Sequence, residues 1–194
     1  VLPVIILKHF IFETKLNTPQ PLQLLKQADL IHSSGVVEAA IARLSHEISQ
    51  ALENTSPVVI CVMGGGIVFA GQLLTQLKFP LELDYVHASR YQTGTVGKTL
   101  HWQSLPKLDL TNRTVLLVDD ILDEGITLKA IQEKCYELGA AHVFSAVLVE
   151  KALDHVKPVS ANFVGLMVPN RYVFGYGMDA YGWWRNLPAI YAMK

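Results

Sequence analysis

The stretch Val115–Thr127, VLLVDDILDEGIT, decides the fold and narrows the chemistry. Val115 to Val118 form a solid aliphatic run, the pattern of a parallel-sheet strand covered on both faces. Asp119 and Asp120 end the run. Asp123 and Glu124 follow, and Gly125, Ile126 and Thr127 open a helix predicted over about 126–138. In open parallel sheets, ligands bind beyond the carboxyl ends of the strands. A glycine turn leading into a helix N-terminus presents backbone N–H groups that suit a phosphate. Two adjacent carboxylates above such a turn suit paired hydroxyls, as on a ribose, or a metal-bound sugar. A single acidic residue there would be an ordinary cap that complements the helix dipole. Three aspartates followed by Gly and Thr at these offsets ask for more than capping.

The same unit recurs on either side. Val58–Val62 is a second solid apolar run, closed by Gly64-Gly65-Gly66 and followed by a helix over about 67–77. Residues 82–88 and 143–149 read as further strands, with Gly139 capping the intervening helix. Upstream, Pro19 and Pro21 open a helix near 20–32, which Ser34-Gly35 breaks. A longer helix over about 36–53 carries Val37, Ala40, Ile41, Leu44, Ile48 and Leu52 on one stripe. Residues 90–106 are rich in turn-formers and read as a long mobile loop with room for a short hairpin arm. After 158, short strands and a Tyr- and Trp-rich tail succeed the regular alternation. Strand, turn, helix, strand is the signature of an α/β domain with a central parallel sheet of about five strands flanked by helices.

Composition excludes several classes. The chain has 194 residues, 51% of them hydrophobic, so it can bury a sizeable core in a single domain. A formal net charge of −1 offers no global basic field for nucleic acid or an anionic membrane. Cys61 and Cys135, each within an apolar stretch, make neither a disulfide framework nor a zinc site. The histidines have no metal-binding spacing, and there is no G-x-S-x-G. The apolar run 1–7 (VLPVIIL) is too short to span a bilayer and lacks the features of a secretory leader. It is expected to be an ordered segment over the core of a cytoplasmic protein.

Val115–Thr127 resembles the signature of the type I phosphoribosyltransferases, enzymes that use phosphoribosyl pyrophosphate (PRPP), and within them the hypoxanthine-guanine branch. The resemblance covers roughly 36–190. It is carried also by Ile60–Phe69 (ICVMGGGIVF), similar to the family's pyrophosphate loop. A third marker is Lys151 followed 28 residues later by Asp179, within the Tyr-Val-x-Gly-Tyr-x-x-Asp pattern of 172–179. Arg185, in WWRNLP, matches a further family position.

The resemblance implies Mg²⁺-dependent transfer of 5-phosphoribose from PRPP to N9 of a 6-oxopurine, giving IMP or GMP in purine salvage. It implies ribose hydroxyls on Asp119 and Asp120, and the 5′-phosphate on the turn Asp123, Glu124, Gly125, Ile126 and Thr127. Gly64 and Gly65 would let the backbone approach pyrophosphate. Asp123 is matched to the group at purine N7 and is the catalytic candidate. Lys151 would donate to O6, Tyr172 would stack on the base, and the Val173 backbone would meet its Watson–Crick edge. Asp179 and Arg185 would help place Mg²⁺ and pyrophosphate, with Asp119 and Asp120 also counted as metal candidates. Ser89, Arg90 and Tyr91 would belong to a flexible loop, about 89–105, that closes over the reaction. A small hood, mainly 158–194 with the N-terminal segment, would cover the base, and the family usually forms dimers or tetramers. Regulatory proteins of the same fold, and transferases for xanthine, are the alternatives.

Two positions depart from the family pattern. Gly64 stands where many relatives carry Lys or Arg. Glu124 stands where relatives often have Ser or Thr facing the 5′-phosphate. A carboxylate there cannot donate and repels a dianion, so Glu124 is expected to point away or to leave the phosphate to 125–127.

Overall fold

The structure, a computed structural model, describes residues 20–90 and 100–194, apart from the side chain of Arg90. In chain order the elements are α1 (Pro21–Gln27), β1 (Asp29–His32), α2 (Ser34–Leu52), β2 (Val58–Met63), α3 (Gly66–Leu74), β3 (Glu82–Arg90) and β4 (Leu100–Ser104). Then follow β5 (Thr114–Leu122), α4 (Ile126–Glu137), β6 (His142–Lys151), β7 (Phe163–Val168), β8 (Val173–Phe174) and β9 (Ile190–Ala192).

The main sheet runs β4-β3-β2-β5-β6-β7. The strands β3, β2, β5, β6 and β7 are mutually parallel, and β4 closes one edge antiparallel to β3. This is the parallel sheet expected from the apolar runs, with one added edge strand. Its centre is β5, where Val115 to Val118 are all 0% exposed.

Successive residues of these strands serve opposite faces. Leu116 and Val118 pack with Val59, Ala146 and Leu148 against the stripe of α2 (Ile41, Leu44, Ile48) and Phe69 and Leu73 of α3. Val115 and Leu117 pack with Val58, Ile60 and Val147 against Leu128, Ile131 and Cys135 of α4. Burying one such aliphatic side chain contributes about 1.5–3 kcal/mol, so a two-faced strand is among the strongest anchors a domain can have. The rigid sheet then presents the carboxyl ends of β2, β5 and β6 side by side.

A second sheet, ordered β1-β9-β8, is antiparallel. It joins an early strand to the end of the chain. Arg171 secures the junction, donating to Asp29 at 2.7 Å and to the carbonyl of Met193, and Trp184 Nε1 donates to the Pro21 carbonyl at 2.9 Å.

Three expectations are corrected. The helix read over 20–32 ends at Gln27, and Asp29–His32 forms β1 instead. A short run such as Asp-Leu-Ile-His suits either state locally, and pairing with β9 decides it. Ser34-Gly35 does not break a helix but forms the first turn of α2, behind Ser33 at the N-cap position. Ser89 and Arg90, expected in a loop, complete β3, because Ser89 pairs with His101 and Arg90 with Leu100 of β4. Tyr91 and the rest of 91–99 lie outside the described residues, as does the N-terminal run 1–7. No helix among the described residues is long and apolar enough to cross a membrane.

Candidate active site

Among the described residues three aspartates are buried: Asp84, Asp119 and Asp120. Asp84 is structural, since its carboxylate accepts the backbone N–H groups of Tyr85, Lys107 and Leu108 at 2.6–2.8 Å. Asp119 and Asp120 differ: they are adjacent residues within β5, which runs on to Leu122 rather than ending at them as expected from sequence. The backbone N–H of Asp120 donates to Asp119 at 2.9 Å. Burial first, and then the neighbouring Asp120 carboxylate, hold the Asp119 carboxyl well above its ordinary range. Burial also raises Asp120, while hydrogen bonds from Asp119 and from the Ile121 backbone, and the Arg185 guanidinium, act in the opposite direction. The Cys61 thiol, on adjacent β2, is pushed up to about 11 by burial and then by both carboxylates. It is a neutral packing group, not a nucleophile.

Beyond β5 the chain turns through Asp123, Glu124 and Gly125 into α4. Gly125 adopts φ +78°, a left-handed conformation that L side chains rarely take. The turn thereby aims the first turn of α4 at a cavity of about 260 Å³. That cavity is lined by Gly65, Asp119, Asp120, Asp123, Gly125 and Thr127, among others. Glu124 does not face it. Its carboxylate instead pairs with His155 Nε2 at 3.0 Å.

The glycine turn after β2 forms the opposite wall. A Cβ on Gly65 would lie 1.7 Å from Asp120 Oδ2, and one on Gly66 would lie 2.8 Å from the Val118 carbonyl. A side chain at Gly65 would therefore displace the Asp120 carboxylate, a constraint that the sequence did not reveal. Gly64 meets nothing within 4 Å, so a longer side chain could be carried there.

A second cavity, about 230 Å³, adjoins the first. Asp120, Ile121 and Asp123 line both, and Lys151, Tyr172, Val173, Met178 and Asp179 complete the second. Lys151, from the end of β6, is only 13% exposed and stands 3.0 Å from Asp123. It is not a solvated surface lysine. Tyr172 is half-exposed and stacks on Tyr181, with centroids 6.2 Å apart and planes 13° apart. Burial and then the Asp179 carboxylate raise the Tyr172 hydroxyl, which stays neutral. Asp179 pairs with Arg185 Nη2 at 2.6 Å and accepts the Gly182 N–H at 2.7 Å. Arg185 Nη1 also donates to the Gly177 carbonyl at 2.6 Å. A Cβ on Gly177 would lie 2.0 Å from the Gly65 carbonyl, so the tail backs directly onto the glycine turn.

The structure thus gathers Gly65, Asp119, Asp120, Asp123, Gly125 and Thr127 around one cavity and Lys151, Tyr172, Val173 and Asp179 around its neighbour. Arg185 reaches the second through Asp179. Ile126 is exposed and neither cavity includes it, and Ser89 instead accepts a hydrogen bond from Gln103 at 3.1 Å. Sequence reading missed His155, Lys157 and Tyr181. Their partners lie across loops, and no periodic or local pattern marks such contacts.

An adjacent carboxylate pair on a central parallel strand, a left-handed glycine turn at a helix start and a facing glycine loop make an α/β site whose chemistry suits phosphate and sugar hydroxyls. The chain belongs to the family described as the phosphoribosyl transferase domain, whose model matches residues 27–180. It is 32% identical over 167 residues to the hypoxanthine-guanine-xanthine phosphoribosyltransferase of Tritrichomonas foetus, covering 85% of this chain and 91% of that one. It is 30% identical over 166 residues to the hypoxanthine-guanine phosphoribosyltransferase of Streptococcus pneumoniae, covering 85% and 92%. Among solved structures, a hypoxanthine-guanine-xanthine phosphoribosyltransferase matches with a TM-score of 0.79 at 30% identity, over 87% of this chain and 99% of that one. A Bacillus anthracis hypoxanthine-guanine phosphoribosyltransferase matches with a TM-score of 0.77 at 26% identity, over 86% and 97%.

Proposed function

We infer that this protein is a purine-salvage enzyme that transfers 5-phosphoribose from PRPP to N9 of hypoxanthine or guanine, releasing pyrophosphate. The observation that carries this reading is the pair of adjoining cavities with Asp120, Ile121 and Asp123 as their common wall. A sugar phosphate held in one and a base held in the other meet there.

In this reading Asp119 and Asp120 accept the ribose hydroxyls, and the turn 123–127 holds the 5′-phosphate with backbone N–H groups and the Thr127 hydroxyl. The turn Gly64-Gly65 borders pyrophosphate. In the second cavity Tyr172 stacks on the purine and the Val173 backbone meets its C2 edge. Lys151 donates to O6 and Asp123 accepts at N7. The bond from C1′ to pyrophosphate breaks and the bond from C1′ to N9 forms, while Asp123 takes the N7 proton. Preorganised charges around the developing oxocarbenium sugar supply the main stabilisation. Closing the site excludes water that would hydrolyse PRPP.

The donor set fits Mg²⁺ that arrives with substrate. Asp119, Asp120 and Asp179 offer hard oxygen ligands, and no metal-holding group of three or more His, Cys, Asp or Glu gathers among the described residues. Mg²⁺ commonly uses one or two carboxylates together with phosphates and waters. When bound, it neutralises charge on the leaving pyrophosphate. We read the second sheet with the C-terminal tail as a hood over the base, the location as cytoplasmic, and the assembly as a homodimer or homotetramer. Exposed Ile67, Leu83 and Tyr85 supply an apolar face for the last of these.

The test is an assay of purified protein with PRPP, Mg²⁺ and each of hypoxanthine, guanine, xanthine and adenine. Nucleotide from 6-oxopurines and none from adenine is the expected result. Nucleotide from no base would overturn the enzyme reading in favour of a PRPP-binding regulator of this fold.

A further inference from the structure

The β5–β6 ladder ends at the pair Leu122 and Glu150. Asp123 and Lys151 stand one residue beyond it, where strand carbonyls lose their ladder partners and need others. A single ammonium meets them. Lys157 Nζ donates to the Leu122 carbonyl at 3.2 Å, to the Lys151 carbonyl at 2.6 Å and to Glu150 Oε1 at 2.9 Å. An ammonium has three donors, and these contacts use all of them. The Lys157 side chain is only 9% exposed, so its charge is committed to this junction. The residues around it reinforce the same turn. Val159 Cγ1 and Pro158 Cδ lie 3.1 and 3.4 Å from where a Cβ on Gly125 would stand, and His155 holds Glu124. The segment 155–159 thus follows the turn 122–125 from outside.

We propose that Lys157 is a positioning residue for base recognition. It joins the carbonyl preceding Asp123 to that of Lys151, and so sets the spacing of the two groups that read N7 and O6 of the purine. This inference rests on the functional reading above. A merely structural lysine, once lost, would lower stability and the active fraction, leaving both Michaelis constants unchanged. A positioning lysine acts on the base side alone.

Lys157→Met removes the donors at similar length, and Lys157→Gln retains two of them. Three quantities are measured on each purified, full-length variant. They are KM for hypoxanthine, KM for PRPP, and the acetylation rate of Lys151 by mass spectrometry without substrate, relative to exposed Lys26. For Lys157→Met, KM for hypoxanthine should rise about tenfold, KM for PRPP should stay within about twofold, and Lys151 should acetylate about threefold or more faster. Lys157→Gln should shift the same way by less, and it is the variant to read if the methionine protein does not fold. Unchanged hypoxanthine KM with unchanged Lys151 protection in a folded variant overturns the proposal, as does an equal shift for both substrates. Absence of transfer by the unaltered protein defeats the functional reading instead, and Lys151 acetylation then still decides whether Lys157 holds that side chain in place.

Discussion

The Lys151 ammonium and the Asp123 carboxylate face each other at 3.0 Å across the ends of β6 and β5. On a 6-oxopurine, O6 is an acceptor and a protonated N7 is a donor, side by side on one edge. A donor and an acceptor held at this spacing are complementary to that edge. In adenine the 6-substituent is an amino group, and Lys151 would meet a second donor there.

Asp123→Asn keeps the shape of the acceptor and removes its charge. We expect kcat to fall about 10- to 10⁴-fold, the range for losing an acid–base group, with PRPP binding largely kept. The measurement is steady-state kinetics with hypoxanthine and PRPP, together with PRPP binding by calorimetry. Turnover at the unaltered rate would take Asp123 out of the chemistry.

Lys151→Gln offers both a donor and an acceptor to the base. The kcat/KM for hypoxanthine should drop about 10- to 10³-fold, as for loss of a charge-assisted hydrogen bond. The ratio of hypoxanthine to adenine use should narrow, because the mismatch against the amino group is relieved. KM for PRPP should move little, since Lys151 does not line the cavity assigned to the sugar phosphate. The opposite pattern, with base discrimination intact and PRPP weakened, would place Lys151 on the wrong side of the sugar.

The core and much of the site were legible in the sequence because their signals are local. Val115–Val118 announces a doubly covered strand by composition alone, and Asp119 to Thr127 sit in consecutive positions where that strand must deliver them. What the sequence hid depends on partners far along the chain. Nothing near Asp29–His32 reveals that β9, which begins at Ile190, will turn those residues into a strand. His155 reaches Glu124 across a separation of 31 residues, and Lys157 reaches Leu122 across 35. Gly65 reads as any tight-turn glycine until Asp120 is seen in the space that its Cβ would need.

His155 Nε2 pairs with the Glu124 carboxylate at 3.0 Å. Hydrogen bonds to Glu124 and then to Asp154 raise the His155 pKa above its ordinary 6.5. A raised histidine contributes its pairing fully below the unfolded value and loses it as pH rises through the folded value. The clip is therefore firm near pH 6 and weakens as pH climbs past the raised pKa. Once released, Glu124 can swing toward the 5′-phosphate and repel it. His155→Ala should raise KM for PRPP by up to about fivefold at pH 6.5 and flatten its dependence on pH, a magnitude set by exposed charge pairs. Glu124→Thr on the unaltered background should change KM for PRPP little, since the carboxylate already points away. Adding Glu124→Thr to His155→Ala should restore PRPP affinity. A double variant no better than His155→Ala would show that Glu124 does not repel the phosphate.

Gly65→Ala places one methyl group where the structure has no room. The added carbon would lie 1.7 Å from Asp120 Oδ2 and 2.4 Å from its Cγ, well inside any real contact. The glycine turn cannot retreat freely, because the Gly65 carbonyl is backed by Gly177, itself at φ +102°. Asp120 must therefore rotate, and it is itself part of the wall shared by both cavities. Overpacking of this kind costs about 1–3 kcal/mol of stability, which a thermal melt detects as a lowered midpoint. The kinetic loss should be larger than that strain alone implies, because a carboxylate of the proposed ribose site moved by about 1 Å can cost on the order of 10²-fold in rate. PRPP affinity and kcat should both fall, and because Asp120 lines both cavities, binding of hypoxanthine should weaken as well. Gly71→Ala, on α3 and lining neither cavity, is the matched control: its Cβ meets nothing within 4 Å, so kinetics should stay near those of the unaltered protein and stability should not fall. If both alanine variants behave alike, Asp120 is not the neighbour that makes Gly65 necessary.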